Sequence, residues 1–259
     1  MVINGKFING NKTANEIFEK IKAVMPIQGD LDLSGTQVTH LPDGLQVGGW
    51  LDLYDTQVTN LPDGLVVGGY LDLGGTKITT LPENLQVGGW LNLANTPITH
   101  LPDGLKVGDD LWLSGTPITH LPDGLKVSGR LDLRDTPITC LPDGLQVGGS
   151  LLLSRTPITR LPDGLKVGGY LDLSGTAITH LPDGLVVGGN LLLSGTPITH
   201  LPDRLQVIND LNLSGTQITE LPANLQVGGK IVGFEPPKPP KPPKPALVQG
   251  GNPLPKWNW

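Results

Sequence analysis

One cysteine, Cys140, is too few for an internal disulfide, so a reducing compartment is acceptable. No apolar run approaches the roughly eighteen residues of a membrane span. The opening stretch, MVINGKFINGNKTANEIF, lacks the apolar core of a signal peptide. The expectation is a chain made in the cytoplasm without a membrane span, secreted, if at all, by a route without a cleaved signal. Catalytic constellations are also missing. No nucleophile stands beside a base, no glycine loop opens a helix to cradle phosphate, and no second domain could hold either. A non-enzymatic protein without a cofactor is expected. Acids are absent from Pro236 onward, where four lysines fall: Lys238, Lys241, Lys244 and Lys256. Setting those four aside from the chain's 18 basic residues leaves 14 against 24 acids, so the body carries −10 while the whole chain carries −6. An acidic body argues against nucleic acid as a ligand, because phosphate attraction supplies most such affinity.

What the chain has in abundance is repetition. One twenty-residue sentence is written ten times between Asp30 and Lys230 without insertion or deletion. A strict short period means a solenoid, each repeat one coil stacked on its neighbours. In the unit Leu51 to Tyr70, LDLYDTQVTNLPDGLVVGGY, the columns of Leu51, Leu53, Val58, Leu61, Leu65 and Val67 stay aliphatic in all ten copies. A lone coil cannot bury such a face, but a stack can. The Leu-x-Leu triplet alternates with period two and predicts a short strand with Asp52 outward. Stacked triplets form a parallel sheet with coils about 4.8 Å apart, giving a rod of about 45–50 Å.

Turn chemistry fills the other fixed columns. Leu61-Pro62-Asp63-Gly64 combines a fixed φ, a backbone-bonding carboxylate and a residue free to take positive φ. Asn84 and Asn224 replace the glycine tolerably, and Arg204 under strain. Gly48-Gly49 lets the chain bend again, and its loss at Ile208-Asn209 predicts an irregularity there. The unbroken threonine column of Thr36 and Thr56 is expected to bond the neighbouring coil's backbone.

The pattern Leu51-x-Leu53-x-x-Thr56-x-Val58-x-x-Leu61-Pro62 resembles the leucine-rich repeat LxLxxNxLxxLP, in the short twenty-residue, LPX-like class of bacterial leucine-rich repeat proteins that includes secreted effectors. The likeness covers about 200 residues and recurs ten times. Threonine stands where that class has asparagine, and Val-Gly-Gly-x-Leu places the preceding apolar residue one position too far. A second extended segment at the back of each coil, and a flatter solenoid, are therefore expected. The resemblance implies recognition of a protein or other macromolecule on the sheet face. It implies no catalysis, since a fold does not fix a function.

Both ends of an open solenoid need covering. Val2-Ile3 and Phe7-Ile8 flank Asn4-Gly5, the pattern of a short hairpin. Thr13 to Glu16 has capping-box spacing. Ile17, Ile21 and Val24 follow at helical intervals until Pro26, a cap helix over the first coil. The expected organisation is a cap over residues 1–29, a mostly β solenoid over 30–234 and a proline/lysine-rich tail over 235–259. Pro236 to Pro245, PPKPPKPPKP, favours polyproline II and spans roughly 31 Å. That tail reads as a stiff spacer with an unordered end, as a PxxP ligand through Pro236, Lys238, Pro239 and Lys241, or as a partner anchor through Trp257 and Trp259.

Function should sit in the columns that vary. The first outward column of the sheet face contains Trp50, Tyr70 and Trp90 in succession, and the second contains Asp52 and Asp72, with Trp112 one column across and Tyr54 beside them. Tyr170 stands higher in the first column, and with five tryptophans and three tyrosines in the whole chain, three of each on one face is not background. Exposed aromatics often mark binding sites. Beside carboxylates they suit a glycan or a basic peptide; the plain alternative is a ladder that protects the sheet. All five histidines (His40, His100, His120, His180, His200) share one column with Cys140, which tempts a zinc reading. Adjacent rungs point in parallel, however, and Arg160 follows, so no metal is assigned. Nine acids in the turn column, Asp43 to Asp203 with Glu83, could bridge calcium, but turn capping explains each singly. The Thr39 ladder raises ice binding as a third class. The leading expectation is a binding protein presenting this face, a bacterial effector or adaptor with a second partner on its tail. The alternative is a structural or surface spacer docked through that tail.

Overall fold

The computed structural model describes residues 2–3, 6–7 and 12–235. Each repeat makes one coil with two short strands. Front strands such as Leu51–Asp52 and Leu71–Asp72 lie in parallel register, Leu51 opposite Leu71 and Asp52 opposite Asp72. Each coil donates to the next: the Leu51 N–H bonds the Tyr70 carbonyl at 2.9 Å, and the Leu53 N–H bonds the Asp72 carbonyl at 2.8 Å. Eleven such strands and an N-terminal hairpin form one thirteen-stranded sheet. The back of each coil is indeed a second extended segment, Gln46–Val47, Val66–Val67 and their equivalents.

Between the two layers runs one continuous core. The six aliphatic columns are buried from the first coil through the ninth. Burying an aliphatic side chain fully contributes roughly 1.5–3 kcal/mol before ordering entropy is charged against it. Burial lapses only in the last coil, where Leu221, Leu225 and Val227 are partly open.

The N-terminal end is closed. Strands Val2–Ile3 and Lys6–Phe7 pair antiparallel, and the first extends the sheet against Leu31–Asp32. The turn residues Asn4 and Gly5, and Ile8, lie outside the described residues. Thr13 caps the helix Ala14–Val24 with a complete capping box: the Glu16 N–H donates to Thr13 Oγ1 at 3.3 Å, and the Thr13 N–H donates to Glu16 Oε2 at 2.9 Å. Ile17 and Ile21 are buried over the first coil, and the Phe18 ring meets His40 at 4.7 Å. Val24, expected on the same face, is exposed because it sits in the last turn, where the chain already leaves the coil.

Two expectations from the repeat are corrected. The threonine column bonds within its own coil: Thr56 Oγ1 donates to the Leu53 carbonyl at 2.8 Å, and every equivalent from Thr36 to Thr216 does the same. The hydroxyl closes the turn after the front strand, three residues back, which is nearer than any neighbouring backbone group. The glycine pair lies at a bend, as expected, and also serves close approach. A Cβ on Gly68 would lie 2.2 Å from the Gly48 carbonyl oxygen of the preceding coil.

The irregularity falls elsewhere than Ile208-Asn209. There the ladder continues, with the Ile208 N–H on the Val187 carbonyl at 3.0 Å. The back layer is instead divided between Lys106–Val107 and Lys126–Val127, into sheets of four and six strands. At this step two successive coils, Gly108-Asp109 and Ser128-Gly129, both carry a side chain in the glycine pair. In the Leu-Pro-Asp-Gly turn, Asn84 and Arg204 adopt left-handed φ of 61° and 60°, as their places demand, whereas Asn224 does not.

Candidate functional site: the front sheet face

Each front strand aims its two leucines inward, so the residues between and before them face out. That alternation brings Trp50, Tyr70 and Trp90 into register one coil apart. Their rings stack nearly parallel, Trp50 on Tyr70 at 5.2 Å and 2°, Tyr70 on Trp90 at 4.0 Å and 5°. Trp112, read from the sequence as one column across, leans back into the row and stacks on Trp90 at 5.0 Å and 15°. A long side chain reaches its diagonal neighbour in a sheet. The result is one four-ring stack. The ring faces cover one another, and the ring edges form a ribbed apolar strip along the rod. The Trp112 indole N–H is enclosed with no acceptor among the described residues.

Tyr54 stands apart, 54% exposed, with its ring over Gly74, where a Cβ would come within 3.2 Å of Tyr54 Cδ2. Asp52 and Asp72 flank the stack and do turn work at the same time. Asp52 Oδ1 accepts the Tyr54 N–H at 2.8 Å, and Asp72 Oδ1 accepts the Gly74 N–H at 2.9 Å and Asn92 Nδ2 at 2.9 Å. Most acids and amides in this column, among them Asp32, Asn92, Asp132 and Asp172, make the same bond two residues on. Sequence reading missed this role, although an Asx residue just before a turn was its signal.

Burial pushes the Asp52 and Asp72 carboxyls above the usual range, and the neighbouring Asp32 and Asp52 charges add to it, against the lowering effect of the turn bonds. Burial and the surrounding carboxylates also raise the Tyr70 phenol. A carboxyl whose pKa is raised on folding contributes stability at low pH and loses it as pH rises through the folded value. The double substitution Asp52→Asn/Asp72→Asn keeps the turn acceptors and removes both charges. It should therefore be more stable than the parent at pH 7, with the gap closing below the ordinary carboxylate pKa. Urea midpoints across that range check the sign; a less stable variant at pH 7 contradicts it.

The other columns yield less. Each histidine is exposed, with Nδ1 against the hydroxyl of the preceding threonine at 2.8–3.1 Å. The Thr39 column is outward, but in an irregular segment rather than a strand. Cys140 and His180 line a shallow cleft of about 370 Å³, with Arg160 between them in the column. Among the described residues no three His, Cys, Asp or Glu side chains converge where a metal could sit, and no helix is long and apolar enough to cross a membrane. The tail residues Pro236, Lys238, Pro239, Lys241, Trp257 and Trp259 lie outside the described residues.

No protein-family model matches this sequence. No curated protein matches it either. Solved structures do. The leucine-rich effector protein YopM of Yersinia pestis is 20% identical, with a TM-score of 0.52, over 82% of this chain and 69% of that one. A leucine-rich repeat protein of Leptospira interrogans is 23% identical, with a TM-score of 0.47, over 78% of this chain and 67% of that one. In fold, the chain is a leucine-rich repeat solenoid like YopM, with about ten coils and, among the described residues, one short N-terminal helix.

Proposed function

We propose that this is a non-enzymatic scaffold that binds a protein on its front face. One observation carries the reading: the stack of Trp50, Tyr70, Trp90 and Trp112 leaves an apolar strip on an acidic sheet face. An extended apolar strip of this kind marks an interaction site more often than not. The stack also favours a protein over a glycan, the two ligand classes that the sequence left open. A sugar ring packs on an aromatic face, and here the inner faces are closed by neighbouring rings. An extended peptide needs only the ribbed edges and the carboxylates beside them. Tyr54, Asp52 and Asp72 form the polar margin, and the tail recruits a second partner through its proline and lysine residues or its two tryptophans. Likeness to a protein described as an effector favours a bacterial adaptor acting on a host protein.

Replacing Trp50 and Trp90 by alanine should abolish capture of a protein partner from host-cell lysate, with the circular dichroism of the rod unchanged. Undiminished capture by the folded variant would overturn this face as the reader. A chain ending at Phe234 should keep the face partner and lose the tail partner.

A further inference from the structure

The face and the tail of this protein are complementary in charge, composition and period. In the outward columns of the first five coils stand Asp30, Asp32, Asp52, Asp72 and Asp110; lysine and arginine are absent there until Arg130. From Pro236 onward the tail carries lysine and no acid. Its run from Pro236 to Pro245 is seven prolines with a lysine at every third place. Polyproline II has three residues per turn and rises about 3.1 Å per residue, so Lys238, Lys241 and Lys244 project from one edge about 9.3 Å apart. Two rungs of a parallel stack measure about 9.6 Å. Acids stand on rungs one, three and five: Asp30 with Asp32, then Asp72, then Asp110. Over three lysines the two periods drift apart by well under 1 Å, which a lysine stem absorbs easily. Between the charges, pyrrolidine rings meet the apolar edges of the aromatic stack. A peptide that favours polyproline II loses little entropy on binding.

We propose that the ligand of the front face is the Pro236–Pro245 segment of a second copy of this chain, so that copies associate by tail on face. The proposal rests on the front face being the binding surface. A chain's own tail cannot make the same contacts. It leaves from Glu235, beside the eleventh front strand, Ile231–Val232. Rung three lies eight rungs away, about 38 Å. Lys238, three residues from Glu235, reaches at most about 11 Å even fully extended, so the three lysines cannot together occupy rungs one to five of their own rod.

The test uses the full-length chain. Lys238, Lys241 and Lys244 are changed to glutamate so that its own tail no longer competes, and a synthetic PPKPPKPPKP peptide is titrated into it by calorimetry. One peptide should bind per chain, at least tenfold more weakly at high salt or when Asp72→Asn and Asp110→Asn are added. The parent chain should self-associate with rising concentration in sedimentation velocity, and the triple-glutamate variant should not. Failure of the peptide to bind overturns the proposal. Peptide binding with a parent that stays monomeric at all concentrations also overturns it, because the tails then do not occupy one another's faces. If the peptide fails but Trp50→Ala/Trp90→Ala still loses a lysate protein, the face is a binding surface and only this ligand is wrong. Peptide binding that is indifferent to Trp50→Ala/Trp90→Ala removes the face itself.

Discussion

Alanine at Leu131 should lower the stability of the protein by about 2–5 kcal/mol, the range for deleting a buried leucine. Leu131 is fully buried in mid-rod, and its strand pairs with Leu111 on one side and Leu151 on the other. In a solenoid each coil touches only its two neighbours, so a mid-rod cavity weakens two interfaces at once. Leu225 occupies an equivalent apolar column in the last coil, where it is already partly open and has one neighbour. The same change there should lose less than half as much. Urea unfolding followed by circular dichroism measures both. Equal losses at the two sites would mean that the rod does not behave as a chain of nearest-neighbour contacts.

The second large effect is expected at the other end. Ile21 is fully buried beneath the cap helix. Ile21→Asp would bury an unpaired carboxylate, which the protein avoids by lifting the helix away. That opens the first coil, Leu31, Leu33 and Val38, to water, as a repeat array without its end cover. Even the milder Ile21→Ala should lose about 2–5 kcal/mol. Amide hydrogen exchange should then show residues 14–24 unprotected, with faster exchange spreading into the first coil. A capping helix that stayed protected in the aspartate variant would show that Ile21 does not hold it down.

Much of this architecture was legible because the repeat averages away local ambiguity. Two leucines with one residue between them say little once; ten times, in strict register, they give a strand, an inward face and a stacking axis. The capping box was equally plain, since Thr13 and Glu16 sit at the one spacing that lets each bond the other's backbone. What stayed hidden depends on distances between coils. The glycine pair reads locally as a bend, and only stacking reveals that a Cβ there would strike the coil before it. The threonine column reads as a bridge between coils, and only the turn geometry shows the carbonyl three residues back as the nearer acceptor. The column after the front strand, from Gly35 through Asp55 and Asn95 to Gly215, takes positive φ throughout. Its enrichment in glycine, asparagine and aspartate was a readable signal, with Arg155 as the departure. In the site, side-chain alternation placed three rings in one row, but the lean of Trp112 into that row is a matter of reach, which no periodicity encodes.

The divided back layer gives the rod a mechanical character of its own. The front sheet passes unbroken through the step at Asp109 and Ser128, while the back loses its strand pairing there. A beam continuous on one side and held on the other by a backbone bond, the Gly129 N–H on the Asp109 carbonyl at 3.2 Å, bends most easily there, like a book about its spine. The aromatic stack crosses that spine: Trp50, Tyr70 and Trp90 stand on the N-terminal leaf, and Trp112 on the first coil of the other. Flexion would therefore open or close the contact between Trp90 and Trp112, while the first three rings move as one block.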